Sequence, residues 1–118
     1  MGGLFGVVSK NNLARDLFFG VDYHSHLGTE IGGIAFLKDD IEVLSHDISN
    51  SQFKSEFQKD YGKIEGRLGI GVISDMEQDQ PIIVESKIGT FALCTTGLIR
   101  NARELYSELV ESGVTFKK

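Results

Sequence analysis

An α+β fold, with helices packed on an antiparallel sheet, is what these 118 residues predict, and three patterns predict it. Short apolar runs rich in Val, Ile and Phe are interspersed with stretches whose apolar residues recur every three or four positions. Two pairs of the short runs are joined by connections too brief for a crossover, which makes each pair a hairpin. No internal repeat, low-complexity segment or Pro-rich linker interrupts the chain, so residues 1–118 are expected to form a single domain.

The first run, Leu4 to Val8, lies between Gly2-Gly3 and Ser9-Lys10-Asn11-Asn12 and reads as a buried strand. Asn11 or Asn12 can accept hydrogen bonds from the free amides of a following helix. Leu13, Leu17 and Val21 repeat at helical spacing, so the helix is expected from about Asn12 to Ser25. Gly32 to Leu37 and Ile41 to His46, linked by Lys38-Asp39-Asp40, form the first expected hairpin. Asn50-Ser51 offers a cap to a second helix carrying Phe53, Phe57 and Tyr61, with Gly62 expected to stop it. Leu68 to Ser74 is a further strand. After Pro81, Ile82 to Val84 and Thr90 to Thr95 flank the turn residues Ser86-Lys87-Ile88-Gly89 and give the second hairpin. Leu98, Ala102, Leu105, Leu109 and Val110 mark the apolar face of a last helix, and Gly113 stands where a left-handed residue ends it.

Composition narrows the partners. With 17 acidic against 12 basic side chains the formal charge is -5, and no segment gathers Lys and Arg into the stripe that a phosphate backbone requires. Nucleic acid is therefore not an expected partner. Nowhere do 18 apolar residues run together, and no basic leader precedes an apolar core, so the chain is read as cytoplasmic with no membrane association. Cys94 is the one cysteine, which fits a reducing compartment.

Three segments carry a resemblance. Gly3-Leu4-Phe5-Gly6-Val7, then His26-Leu27-Gly28-Thr29-Glu30-Ile31-Gly32-Gly33-Ile34-Ala35, then Thr96-Gly97-Leu98-Ile99-Arg100-Asn101-Ala102 are similar in order and spacing to the landmarks of one family. It is the class II, N-terminal-nucleophile glutamine amidotransferases, and most nearly the glutaminase domain of amidophosphoribosyltransferase. That family opens Met-Cys-Gly-Ile-Phe-Gly, continues with His-Arg-Gly-Gln-Glu-Ser-Ala-Gly-Ile-Ala, then Gly-x-Gly-His-x-Arg-Tyr, then His-Asn-Gly-Asn-Leu-x-Asn. The resemblance implies part of a four-layer αββα sandwich, covering nearly all of this chain but about the first half of the family's domain.

What the resemblance implies for chemistry is loss. The family's attacking thiol falls at Gly2, which has no nucleophile for an α-amine to activate. The Arg that grips the glutamine carboxylate falls at Ser74, which cannot make a bidentate, charge-assisted contact, and the His of the same motif falls at Val72. The Asn-Gly pair that holds the oxyanion falls at Thr96-Gly97. Gly97 keeps the backbone donor, while Thr96 offers only a shorter hydroxyl, and loss of one such donor costs on the order of 100-fold in rate. The resemblance thus implies no catalytic residue, and a vestigial pocket of Gly2, Ser74, Thr95, Thr96 and Gly97.

Other groupings weigh less. Cys94, inside Phe91-Ala92-Leu93-Cys94, reads as a buried inert thiol. Asp22, His24 and His26 have a metal-like spacing in an extended segment, but on a helix His24 points away from the other two, and no metal is expected. Gly28-Thr29 and Gly89-Thr90 match a self-cleavage dipeptide that is too common to mean anything by itself. Gly66 to Gly71 precedes a strand where a nucleotide loop would lead into a helix. Asp75 to Gln80 reads as a solvated loop.

The expected function is that of a glutamine amidotransferase-like protein without hydrolysis, with a binding, regulatory or assembly role and no cofactor. Self-association or another protein subunit is expected to cover the open side of the partial sandwich, and the relic pocket to take a small amino-acid-like ligand. Two alternatives stand beside it: an active class II glutaminase with an altered or miscalled N-terminus, and an unrelated small α+β ligand-binding module.

Overall fold

The computed structural model describes residues 2–27, 30–50, 52–75 and 79–115. Four strands form the main sheet in the order β1-β4-β2-β3, every neighbouring pair antiparallel: β1 Gly3–Val8, β2 Ile31–Leu37, β3 Ile41–Asp47 and β4 Leu68–Ser74. A separate hairpin pairs β5 Ile82–Ser86 with β6 Gly89–Leu93. The helices are α1 Ala14–Tyr23, α2 Phe53–Phe57 and α3 Ala102–Glu111, with 3-10 turns at Ser25–Leu27 and Gln58–Lys63.

The alternation of side chains along each strand decides what covers the main sheet. Gly69 and Gly71 of β4 face α1: a Cβ at Gly69 would lie 2.9 Å from a Leu17 methyl, and one at Gly71 would run into Val21. These glycines let α1 press onto the sheet through Leu13, Leu17, Phe18 and Val21, all nearly inaccessible to solvent. On the same face Gly32 lies under Phe53, and the stacked rings of Phe53 and Phe57, 4.2 Å apart, complete the core with Ile34, Phe36 and Ile64.

The opposite face is served by the β5–β6 hairpin. Gly33 permits its approach, because a Cβ there would collide with the carbonyl of Gln80 and sit 3.0 Å from Pro81 Cδ. Cys94, just beyond β6, reaches to 3.9 Å from the Gly71 carbonyl. Cover on this side is partial, and Leu4, Leu37 and Leu68 are each more than two-fifths exposed. α3 buries none of its residues.

Several boundaries differ from expectation. α1 starts at Ala14, whose amide donates to Asn12 Oδ1 at 3.0 Å, and ends two residues before Ser25, which belongs to the first 3-10 turn. Gly62 does not stop the second helix. The α-helical winding ends at Phe57 and tightens into the 3-10 turn containing Tyr61 and Gly62, which delivers Ile64 to the core. Ser51, Gly28 and Thr29 lie outside the described residues, and with them part of the expected cap and the whole of one Gly-Thr dipeptide. β6 ends at Leu93, short of Thr95. The last helix begins at Ala102, so Leu98 precedes it, largely in solvent. Gly113, with φ of 100°, does end it, its amide donating to Val110 and that of Val114 to Leu109.

Candidate functional site

The antiparallel register between β1 and β4 sets Gly3 opposite Ile73, which brings Gly2 to the Ser74 end of β4. The loop after β6 arrives at the same place. A Cβ built on Gly2 would lie 3.2 Å from Thr96 Cβ and 2.5 Å from the Ile73 carbonyl oxygen. Gly2, Ser74 and Thr96, distant in sequence, therefore meet at one end of the main sheet.

Each position has its own setting. Ser74, 1% exposed, pairs across the ladder with Ile31, and its carbonyl accepts the Glu30 amide at 3.1 Å. Thr95 and Thr96 are exposed. Gly97 has φ of 128°, a left-handed conformation that a side chain resists, with open space where a Cβ would point. The Thr95 amide donates to Gln80 Oε1 at 2.7 Å. Gln80 is the residue that sequence reasoning missed: Pro81 beside it signals a turn, and nothing in the pattern signals a side chain reaching across 15 positions.

Chemically the cluster offers hydroxyls and backbone groups. None of the side chains of Gly2, Ser74 and Thr96 carries a charge or a thiol, and the cluster can accept and donate hydrogen bonds. Cys94 does not supply the missing sulfur. It is half-buried where a buried, inert thiol was expected, and burial raises its pKa, which disfavours the thiolate. Of the Asp22, His24 and His26 spacing, His24 turns its Nδ1 to the Gly20 carbonyl at 2.8 Å, and no group of three metal-ligating side chains occurs among the described residues.

A cavity of about 600 Å³ opens at the other end of the sheet. It lies between the main sheet and the hairpin, walled by Leu37, Leu68, Ile70 and Ile83, with Asp39 and Glu85 also lining it. It is the unfilled interior of the two-sheet arrangement and does not include the Gly2, Ser74 and Thr96 cluster.

Fold and sequence together are similar to those of a class II glutamine amidotransferase domain of the N-terminal-nucleophile hydrolase type. Among solved structures the glutamine phosphoribosylpyrophosphate (PRPP) amidotransferase of B. subtilis, complexed with ADP and GMP, matches 99% of the chain at a TM-score of 0.80 and 24% identity. The structure described as the allosteric regulatory enzyme of purine biosynthesis matches all of it at 0.78 and 21%. These two cover the chain with 26% and 27% of their own lengths. The amidophosphoribosyltransferases of Pseudomonas aeruginosa and Methanocaldococcus jannaschii are each 29% identical, over 95% and 98% of this chain. The chain spans about a quarter of those relatives, 23% and 26% respectively. None of the protein-family models matches the chain. An unrelated small α+β module, one of the alternatives raised by the sequence, is set aside by this fold. No helix among the described residues is long and apolar enough to cross a membrane.

Proposed function

We propose that this chain keeps the glutaminase scaffold without the hydrolysis, and serves as a non-catalytic domain for binding and assembly. The observation that carries the reading is at residue 2, where the family's nucleophile would stand: there is neither a side chain nor room for one, since a Cβ would come within 2.5 Å of the Ile73 carbonyl oxygen. The packing has closed around the absent sulfur. Ser74 and Thr96 support the same reading from the substrate side, with no cation for a carboxylate and a short hydroxyl where an amide donor is needed.

Gly2, Ser74, Thr95, Thr96 and Gly97 then form a relic pocket suited to a small polar, amino-acid-like ligand held by neutral hydrogen bonds. Residues 1–118 act as one domain in a larger assembly, formed with another copy or another subunit in the cytoplasm. Purified protein incubated with glutamine is expected to release ammonia no faster than a sham preparation. Release above that level, lost on heat denaturation, refutes the reading.

A further inference from the structure

We infer that Gln80 is the positioning residue of the relic pocket: its side chain fixes the loop of Thr95, Thr96 and Gly97, and so keeps Thr96 against Gly2. This rests on the proposed function's account of residue 2, where packing closes over the place of the missing side chain. Gln80 is anchored before it reaches the loop. Its carbonyl lies over Gly33 of β2, where no side chain holds it off. Gly33 pairs with Val72 of β4, so the support beneath Gln80 is the middle of the main sheet. Pro81, the next residue, is buried. From this base the side chain extends to the loop, and Oε1 accepts the Thr95 amide at 2.7 Å, a short bond for a backbone donor.

The loop has little else to hold it. β6 ends at Leu93 and α3 starts at Ala102, and both threonines between them are exposed. No other hydrogen bond of Thr95, Thr96 or Gly97 occurs among the described residues. Cys94, the residue before them, makes only a weak sulfur contact, 3.9 Å from the Gly71 carbonyl. Thr96 follows the bonded amide directly, so the bond decides where its side chain stands, and it stands where a Cβ on Gly2 would lie 3.2 Å from Thr96 Cβ.

The chemistry of the residue suits the task. A carboxamide oxygen accepts a hydrogen bond without carrying charge, so the loop is held and no ion is brought to a cluster of hydroxyls and backbone groups. A ligand entering between Gly2, Ser74 and Thr96 then meets a loop already set, and loses less to ordering when it binds.

Amide NMR of the 118-residue chain tests this with two variants: Gln80→Met, which keeps the length of the side chain and removes the acceptor, and Gln80→Glu, which keeps an acceptor. In the wild type the Thr95 amide is expected to be protected from exchange, and a through-space contact to join the Thr96 side chain to the Gly2 Cα protons. Gln80→Met is expected to speed Thr95 exchange about five- to tenfold and to weaken that contact, with the amides of β2 and β4 as protected as before. Gln80→Glu is expected to keep both the protection and the contact. Thr95 exchange unaltered by Gln80→Met, a contact to Gly2 that survives it undiminished, failure of Gln80→Glu to retain either, or an equal loss of protection across β2 and β4 overturns the inference and leaves the account of residue 2 standing. A wild-type protein without the Thr96 to Gly2 contact overturns both. Ammonia release, assayed on the same sample, reports on hydrolysis separately.

Discussion

Gly2 lies against Thr96 so closely that a methyl group on its Cα would stand 3.2 Å from Thr96 Cβ. The first strand and the loop after the sixth have settled together where a reactive side chain would need space. Restoring the thiol is therefore a packing problem before it is a chemical one. Gly2→Cys is expected to release no ammonia from glutamine, and Gly2→Cys with Thr96→Asn is expected to stay silent as well, because Ser74 still offers no cation to the substrate carboxylate. Ammonia release by either variant above the wild-type level contradicts this.

Two glycines should respond in opposite ways to the same methyl group. In Gly33→Ala the new Cβ meets the Gln80 backbone, which cannot swing aside as a side chain tip could, so a loss of about 2 kcal/mol or more is expected. In Gly62→Ala the Cβ meets nothing within 4 Å, and a less flexible unfolded chain should make the variant equal to wild type or about 0.5 kcal/mol more stable. Denaturant midpoints of the two variants give the comparison.

Phe57 joins α2 to the sheet, being fully buried, stacked on Phe53 and set edge-on to His46 at 4.6 Å. Phe57→Ala leaves a cavity that its neighbours cannot close, and about 3–5 kcal/mol of stability is expected to go with it. A loss below about 1 kcal/mol in chemical denaturation means that α2 is not seated as described.

Acid should find Asp60. Its carboxylate accepts a hydrogen bond from His46 Nε2 at 2.6 Å and pairs with Lys63 at 3.2 Å. The His46 bond chiefly holds its pKa below the ordinary 3.8, with burial opposing and Lys63 assisting. A carboxyl depressed in the folded state contributes stability that is present above its unfolded value and lost as the pH falls through the folded one. Asp60→Asn is expected to cost about 1 kcal/mol near neutrality, a modest figure because His46 is partly in water, and to flatten the fall in stability below about pH 4. Thermal midpoints of both proteins across that range provide the check.

Where local pattern and tertiary demand agree, the sequence could be read directly. β4 occupies Leu68–Ser74 as expected, since an apolar run between turn residues has little else to become. Both hairpins follow from connections too short to do otherwise. The second helix was misread because Phe53, Phe57 and Tyr61 suit an α-helical period, while the core also takes Ile64, which the tighter 3-10 winding delivers. At the site, the motif order could be read but the convergence could not. It depends on the register that sets Gly3 against Ile73, a pairing 70 residues apart that no local spacing encodes. The bond from the Thr95 amide to Gln80 was equally invisible, because a polar residue in a loop looks the same whether or not it is engaged.

The absence of any buried residue in α3 also sets how the chain comes apart. Melting that segment sacrifices no packed interior, so residues 102–111 can unravel while the layer of α1, α2 and β1 to β4 stays intact. Residues 102–111 are then expected to be open to a protease while that layer still resists it.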